Sequence, residues 1–170
     1  MRAVLVFAAA CATAAPPPAA PAPTAAAPAA PLARLEASRD LDAVVVGHAG
    51  QPTVVMWMAS WCGHCRKELA VFDHVRAQHP HVRWLAANYK AHEEYDNRGN
   101  SLAIRELAGQ TPWLRFVPAG DELFAAFGSP PLIPTIFIYD RRGALVTTFD
   151  RRERTPPDET ELDALLRTLD

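Results

Sequence analysis

Cys62 and Cys65 stand two residues apart in the run Ser60-Trp61-Cys62-Gly63-His64-Cys65-Arg66-Lys67-Glu68. Two thiols at this spacing can supply half of a metal site, or they can close a small disulfide ring and exchange it with other disulfides. The flanking sequence separates these readings. An apolar run, Thr53 to Ala59, leads in, and a helical pattern reaching about Gln78 leads out. Cys62 is therefore expected at a helix N-terminus, beside unpaired backbone N–H groups and the positive end of the helix dipole, which favour thiolate over thiol. Cys65 lies one helical turn on. A structural zinc site would need two more ligands. There is no second cysteine pair, and His64, His74, His79 and His81 scatter around the helix and its end. The chemistry expected is thiol-disulfide exchange: Cys62 is the exposed nucleophile, whose thiolate attacks a substrate disulfide, and Cys65 resolves the mixed disulfide. The redox-active disulfide itself is the only cofactor expected, with no metal.

Neighbouring side chains can adjust this pair. Protonated His64 would stabilise the Cys62 thiolate and make the disulfide more oxidising, unless it is a solvent-facing spacer. Glu68 follows Cys65 by three residues, so both share a helix face. If partly buried, Glu68 has a raised pKa and can accept the Cys65 proton during resolution; otherwise it is a surface acid beside Arg66 and Lys67. Trp61 flanks Cys62 and offers substrates an apolar surface, whereas Trp57 belongs to the core.

The elements that must hold these residues follow from the pattern. Leu32 to Val45 suggests one or two short helical pieces, with Asp40 as a cap and Gly47 as a stop. Thr53 to Ala59 has no polar alternation, as expected of a strand buried on both faces. The following helix places Leu69, Phe72 and Val75 on one face, and His79-Pro80 ends it. Val82 to Ala87 reads as a second buried strand, and Asn88 to Gly99 as a polar loop. Asn100 or Ser101 caps a helix to Ala108, stopped by Gly109. Trp113 to Val117 is a short strand and Asp121 to Phe127 a short helix. Ser129 to Pro134 is a rigid loop; Trp113 and Pro130-Pro131 are expected to shape the loops near the site. Thr135 to Tyr139 and Ala144 to Phe149 form a hairpin across Asp140-Arg141-Arg142-Gly143. The last helix runs from about Asp158 to Leu169 along Leu162, Leu165, Leu166 and Leu169. The order is βαβ, a helical insertion, then ββα: an α/β fold with a mixed central sheet and helices on both faces.

Composition narrows the partners. The chain has 170 residues, a formal net charge of -2 and three cysteines. That length suits one domain, the charge argues against nucleic acid, and the cysteine count excludes a disulfide-stapled scaffold. Residues 1–10 read as a signal peptide, with a minimal basic start and a short apolar stretch. Ala8-Ala9-Ala10-Cys11 resembles the lipobox of bacterial lipoproteins, in which the cysteine is lipidated, although the usual leucine is Ala8 here. Lipidation at Cys11 and plain cleavage both stay open. Residues 11–31 are rich in alanine and proline and uncharged; extended at about 3.1 Å per residue, such a tether reaches roughly 60 Å. Residues 32–170 form the folded domain.

Three features together resemble the thioredoxin-fold superfamily: the Trp61-Cys62-Gly63-His64-Cys65 motif, the Ile133-Pro134-Thr135 step into the hairpin, and the element order. Within it the chain is most similar to the membrane-tethered, extracytoplasmic TlpA/ResA-like group, which the insertion before Ile133 and the run Cys65-Arg66-Lys67-Glu68 also fit. The resemblance implies a cis Ile133–Pro134 bond facing the disulfide, with the Ile133 backbone pairing the substrate chain as an added strand. It implies that Glu68 manages protons near Cys65, a task that thioredoxin gives to an aspartate at the place of Met56. It implies a thiol-disulfide reductase of protein substrates, for example in cytochrome c or copper-site maturation, served by a membrane electron donor on the periplasmic side of a bacterial membrane. The chain departs from the family at Ala70, which replaces a helix-kinking proline, and in lacking a recognisable hairpin between Leu32 and Gln51. The Gly63-His64 dipeptide is the one typical of protein disulfide isomerases and leaves an oxidase or isomerase as the alternative. A copper metallochaperone on the same fold is a further alternative, although no histidine follows His92. A monomer is expected.

Overall fold

The computed structural model describes residues 50–169; the expected signal peptide, Cys11, the tether and the pieces from Leu32 to Val45 lie outside them. A five-stranded mixed sheet has the order β3-β2-β1-β4-β5. Its centre is β1 (Thr53–Met58), every residue of which is buried. β1 pairs in parallel with β2 (Arg83–Tyr89) and antiparallel with β4 (Thr135–Tyr139). This central place explains the uninterrupted apolar run, because both faces of β1 are covered. Val54, Met56 and Met58 face one core with Leu69, Phe72, Leu162 and Leu166, while Val55 and Trp57 face the other with Leu123 and Phe127. Met56, at the place that thioredoxin gives to an aspartate, is fully buried in the first of these cores. Trp57 is wholly buried, edge-on to Phe124 and Phe127.

Helix α1 (Gly63–Arg76) runs unbroken for 14 residues, as Ala70 in place of proline allows. It is fastened to α5 (Glu159–Arg167) by apolar contact and by buried His79, whose Nε2 lies 2.8 Å from Asp163 Oδ1. Asp158 caps α5 by accepting from Glu161 N at 2.8 Å.

Four expectations are corrected. The polar stretch after β2 is not a plain loop: it folds into a single-turn α2 (Lys90–Glu93) and a tight turn at Tyr95–Asn97. Gly109 does not stop its helix. α3 (Ser101–Gln110) passes through it, anchored by buried Leu107, and ends at Thr111, whose hydroxyl donates to Leu107 O at 2.9 Å; one interior glycine costs about 1 kcal/mol, which tertiary packing offsets. The strand expected at Trp113 begins two residues later, as β3 (Arg115–Ala119), because its register is set by pairing with Leu85 to Tyr89. Among the described residues β3 is an edge of the sheet, where Pro118 is tolerated without an N–H. Trp113 is left outside the strand, against Trp84 and under the Arg76 guanidinium at 4.8 Å, near the far end of α1 from the cysteines. It does not shape the site.

α4 (Asp121–Ala126) covers the second face, and β5 (Leu145–Phe149) closes the hairpin with β4. Its turn places Gly143 at φ +74°, a left-handed position that suits glycine. No helix among the described residues is long and apolar enough to cross a membrane.

Candidate active site

The end of β1 and the start of α1 meet at Cys62. Cys62 is the N-cap residue of α1, and its Sγ accepts from Cys65 N at 3.2 Å. A sulfur in this position meets one of the unpaired N–H groups of the first helical turn, which stabilises negative charge on it. Cys62 and Cys65 are joined by a disulfide, with Cα atoms 5.2 Å apart. Cys65 is fully buried and Cys62 keeps 4% of its surface. The sequence reading of Cys62 as an exposed nucleophile needs correction: of the two sulfurs it is the reachable one, but it sits in a recess. Gly63 and His64 between them are exposed.

Ile133 and Pro134 are joined by a cis bond, and Ile133 O lies 3.9 Å from Cys62 Sγ. The loop expected to face the disulfide therefore does so. The same carbonyl accepts from Arg151 Nη1 at 2.8 Å. Pro131 and Leu132 border the recess beside Ile133, so the proline-rich loop shapes the site as expected.

Glu68 is half-buried on α1. Burial pushes its carboxyl from an ordinary 4.5 up to about 7, against the pull of the Arg151 charge. Among the described residues its Oε2 is buried with no hydrogen-bond partner. A carboxyl that changes protonation near neutrality, one turn beyond Cys65, has the properties of a proton acceptor for that thiol.

The wall opposite α1 was not foreseen. Glu93, 3% exposed, points back from α2 beneath the cysteine motif. Its carboxylate accepts from Ser60 N and Asn88 Nδ2, each at 2.8 Å, and from Ser60 Oγ. Trp61 Nε1 donates to the carbonyls of His92 and Glu93 at 3.0 and 2.9 Å. From the other side, Arg66 donates to Ser60 O through Nε and Nη2 at 3.1 and 2.9 Å. Ser60 and Trp61, the two residues leading into Cys62, are thus held on all sides. Gly99 closes the arrangement: a Cβ there would collide with Glu93 Oε1 and would lie 2.7 Å from Glu93 O and 2.8 Å from Trp61 Cδ1. The one sequence signal available was Glu93 and Asn88 adjoining a buried strand, and an acid in a polar stretch does not announce its burial.

A cleft of about 440 Å³ opens over Cys62, between Trp61, Tyr95 and Arg98 on one side and Ile133 and Arg151 on the other. A larger cavity, about 580 Å³, lies along β3 and α3 and does not reach the disulfide.

No protein-family model matches the chain, and no curated protein matches it. Solved structures do. A secreted Mycobacterium tuberculosis disulfide oxidoreductase, homologous to E. coli DsbE, superposes with a TM-score of 0.58 at 18% identity, covering 73% of this chain and 86% of that one. A thioredoxin-family thiol:disulfide interchange protein from Chlorobium tepidum gives 0.60 at 17%, over 73% and 83%. StoA from Bacillus subtilis gives 0.54 at 22%, over 71% and 86%. The fold is that of thioredoxin, as its βαβ–ββα order and mixed sheet had indicated.

Proposed function

We propose that the protein is an extracytoplasmic thiol-disulfide oxidoreductase of protein substrates and works as a reductase. The observation that carries this reading is the Cys62–Cys65 disulfide at the N-terminus of α1, facing the Ile133 carbonyl across a cis proline. In the reducing direction the Cys62 thiolate attacks one sulfur of a substrate disulfide. A Cys62–substrate disulfide forms and one substrate thiolate leaves. Glu68 takes the proton of Cys65, whose thiolate attacks Cys62 Sγ; the Cys62–Cys65 disulfide forms and the second substrate thiolate leaves. Two electrons pass to the substrate, and a dithiol donor must return them. The backbone at Ile133 supplies an edge along which an extended substrate segment pairs.

Two features support the reducing direction. The enclosed sulfurs and the neighbouring Glu68 carboxyl both disfavour thiolate, which weakens the reduced form and lowers the potential. His64, the residue that would act oppositely, is exposed, so water screens its charge. The leader, the tether and the lipobox-like Cys11 support export and a membrane attachment. The TlpA/ResA resemblance supports substrate thiols in cytochrome c or copper-site maturation, with a membrane electron donor. A trapping experiment tests the reading. The Cys65→Ser variant should accumulate a mixed disulfide with an oxidised protein substrate, and Cys62→Ser should form none. Equal trapping by both variants would exclude Cys62 as the attacking residue.

A further inference from the structure

The cleft over Cys62 is walled by cations. Arg98, beyond the Tyr95–Asn97 turn, holds its guanidinium 5.3 Å from the Trp61 ring centre and 5.9 Å from that of Tyr95. Arg151, which follows β5 at φ +66°, reaches back to Ile133 O. Both line the cleft, and among the described residues no Asp or Glu does. Three carboxyls stand nearby, of which Glu93 is engaged by Ser60 and Asn88 beneath the motif. Asp96 is 3.5 Å from Arg98, with both side chains largely in solvent, where such a pair is weak and screened. Glu68 faces Arg151, but its burial keeps a large share of it protonated at neutral pH. His92 also lines the cleft, and burial lowers its pKa, so it adds little charge. Two positive groups therefore face the space that a substrate must enter. A guanidinium lying over an aromatic face keeps its N–H edge outward, and the single bond to Ile133 O engages one of the five N–H groups of Arg151.

We propose that Arg98 and Arg151 form a carboxylate-recognition subsite beside Cys62, which selects protein disulfides whose target cysteine is flanked by Asp or Glu. The inference rests on Cys62 being the attacking thiol and names the substrate class of that site. Arg98 sets charge preference from the wall opposite Arg151, without a part in the exchange chemistry. The turn that carries it is closed by Arg98 N donating to Tyr95 O at 3.1 Å.

The test uses the pre-reduced full-length protein and three cyclic peptide disulfides, identical except for Asp, Ala or Lys beside the cysteines. Single-turnover rates are normalised to each peptide's own rate with dithiothreitol. The Asp peptide should react about five- to tenfold faster than the Ala peptide, and the Lys peptide slower than either, as a sum of modest exposed ion pairs allows. Added salt should compress the series. Arg98→Glu should bring the Asp and Lys peptides to similar rates, each read as a ratio to the Ala peptide in the same variant; Arg98→Gln should fall between. Equal rates for all three peptides would overturn the subsite and leave the oxidoreductase reading standing. No exchange with any peptide would remove that reading and the inference with it. Oxidised glutathione, a small disulfide bearing carboxylates, serves as a fourth probe. An Arg98 dependence as large as that of the Asp peptide would overturn the assignment to a protein segment.

Discussion

The two walls of the cleft are built in opposite ways. The α1 wall takes its chemistry from one short stretch, in which Cys62, Cys65 and Glu68 sit at spacings of three on one helix. The facing wall, residues 88–99, contributes nothing that reacts. It holds Ser60 and Trp61 through a buried carboxylate and two backbone carbonyls, and it carries Tyr95 and Arg98 to the rim. Helical spacing alone aligns the reacting groups. Fixing the approach to them takes groups some thirty residues away in sequence, joined by buried polar contacts. Such contacts are costly to break, because each partner is left without water or a substitute.

Substitutions on the two walls should accordingly fail differently. The largest effect falls on the reacting wall: Cys62→Ser should reduce turnover of an oxidised protein substrate to the uncatalysed rate while the fold melts normally. Retained turnover would move the chemistry elsewhere. Next, Glu93→Ala should destabilise the protein by about 2–4 kcal/mol, since it strands the two buried Ser60 donors and leaves half-buried Asn88 with Met58 O alone. Denaturant unfolding measures this, and a loss under 1 kcal/mol would mean the network does not hold the motif. Gly99→Ala should cost about 1–3 kcal/mol by overpacking against Glu93 and Trp61. The same substitution at Gly63, where an added Cβ meets nothing, is the matched control from the other wall.

The smallest effect concerns Glu68 and pH. Its folded pKa, about 7, lies above its ordinary 4.5, so the folded state binds the proton more tightly. Below 4.5 both states are protonated and the carboxyl costs nothing. The cost grows as pH rises to about 7 and is constant above it. Glu68→Gln should therefore stabilise the oxidised protein at pH 8 by about 1–2 kcal/mol, after allowance for solvent screening, and change nothing at pH 4. It should also slow resolution of the mixed disulfide near neutral pH. A stability difference independent of pH would deny the burial of this acid.

What could be read in advance follows the same division. The strands and helices announced themselves through apolar runs and periodicity, and the cysteine pair and Glu68 through spacing, whereas the place of the Ile133–Pro134 step was implied by the resemblance to the thioredoxin fold. Residues 88–99 read as a loop because a one-turn helix carries no periodicity. Glu93 looked like any surface acid because its partners lie near Cys62 rather than in its own stretch. Arg151 was invisible for a similar reason: only the closing of the hairpin brings it to Ile133. The two-residue displacement of β3 shows pairing with β2 overruling local preference at Trp113.

The reduction potential of the Cys62–Cys65 pair, measured against a dithiothreitol or glutathione buffer, tests the central claim most directly. Thioredoxin-fold proteins range from about -270 mV for thioredoxin to about -120 mV for a strong oxidase, a gap of about 7 kcal/mol. The enclosed sulfurs and the Glu68 carboxyl predict a value near the low end, that of a reductase served by an external donor. A value near the high end would contradict the account, show that thiolate stabilisation by the helix terminus, His64 and Arg151 dominates, and make the protein an oxidase or isomerase.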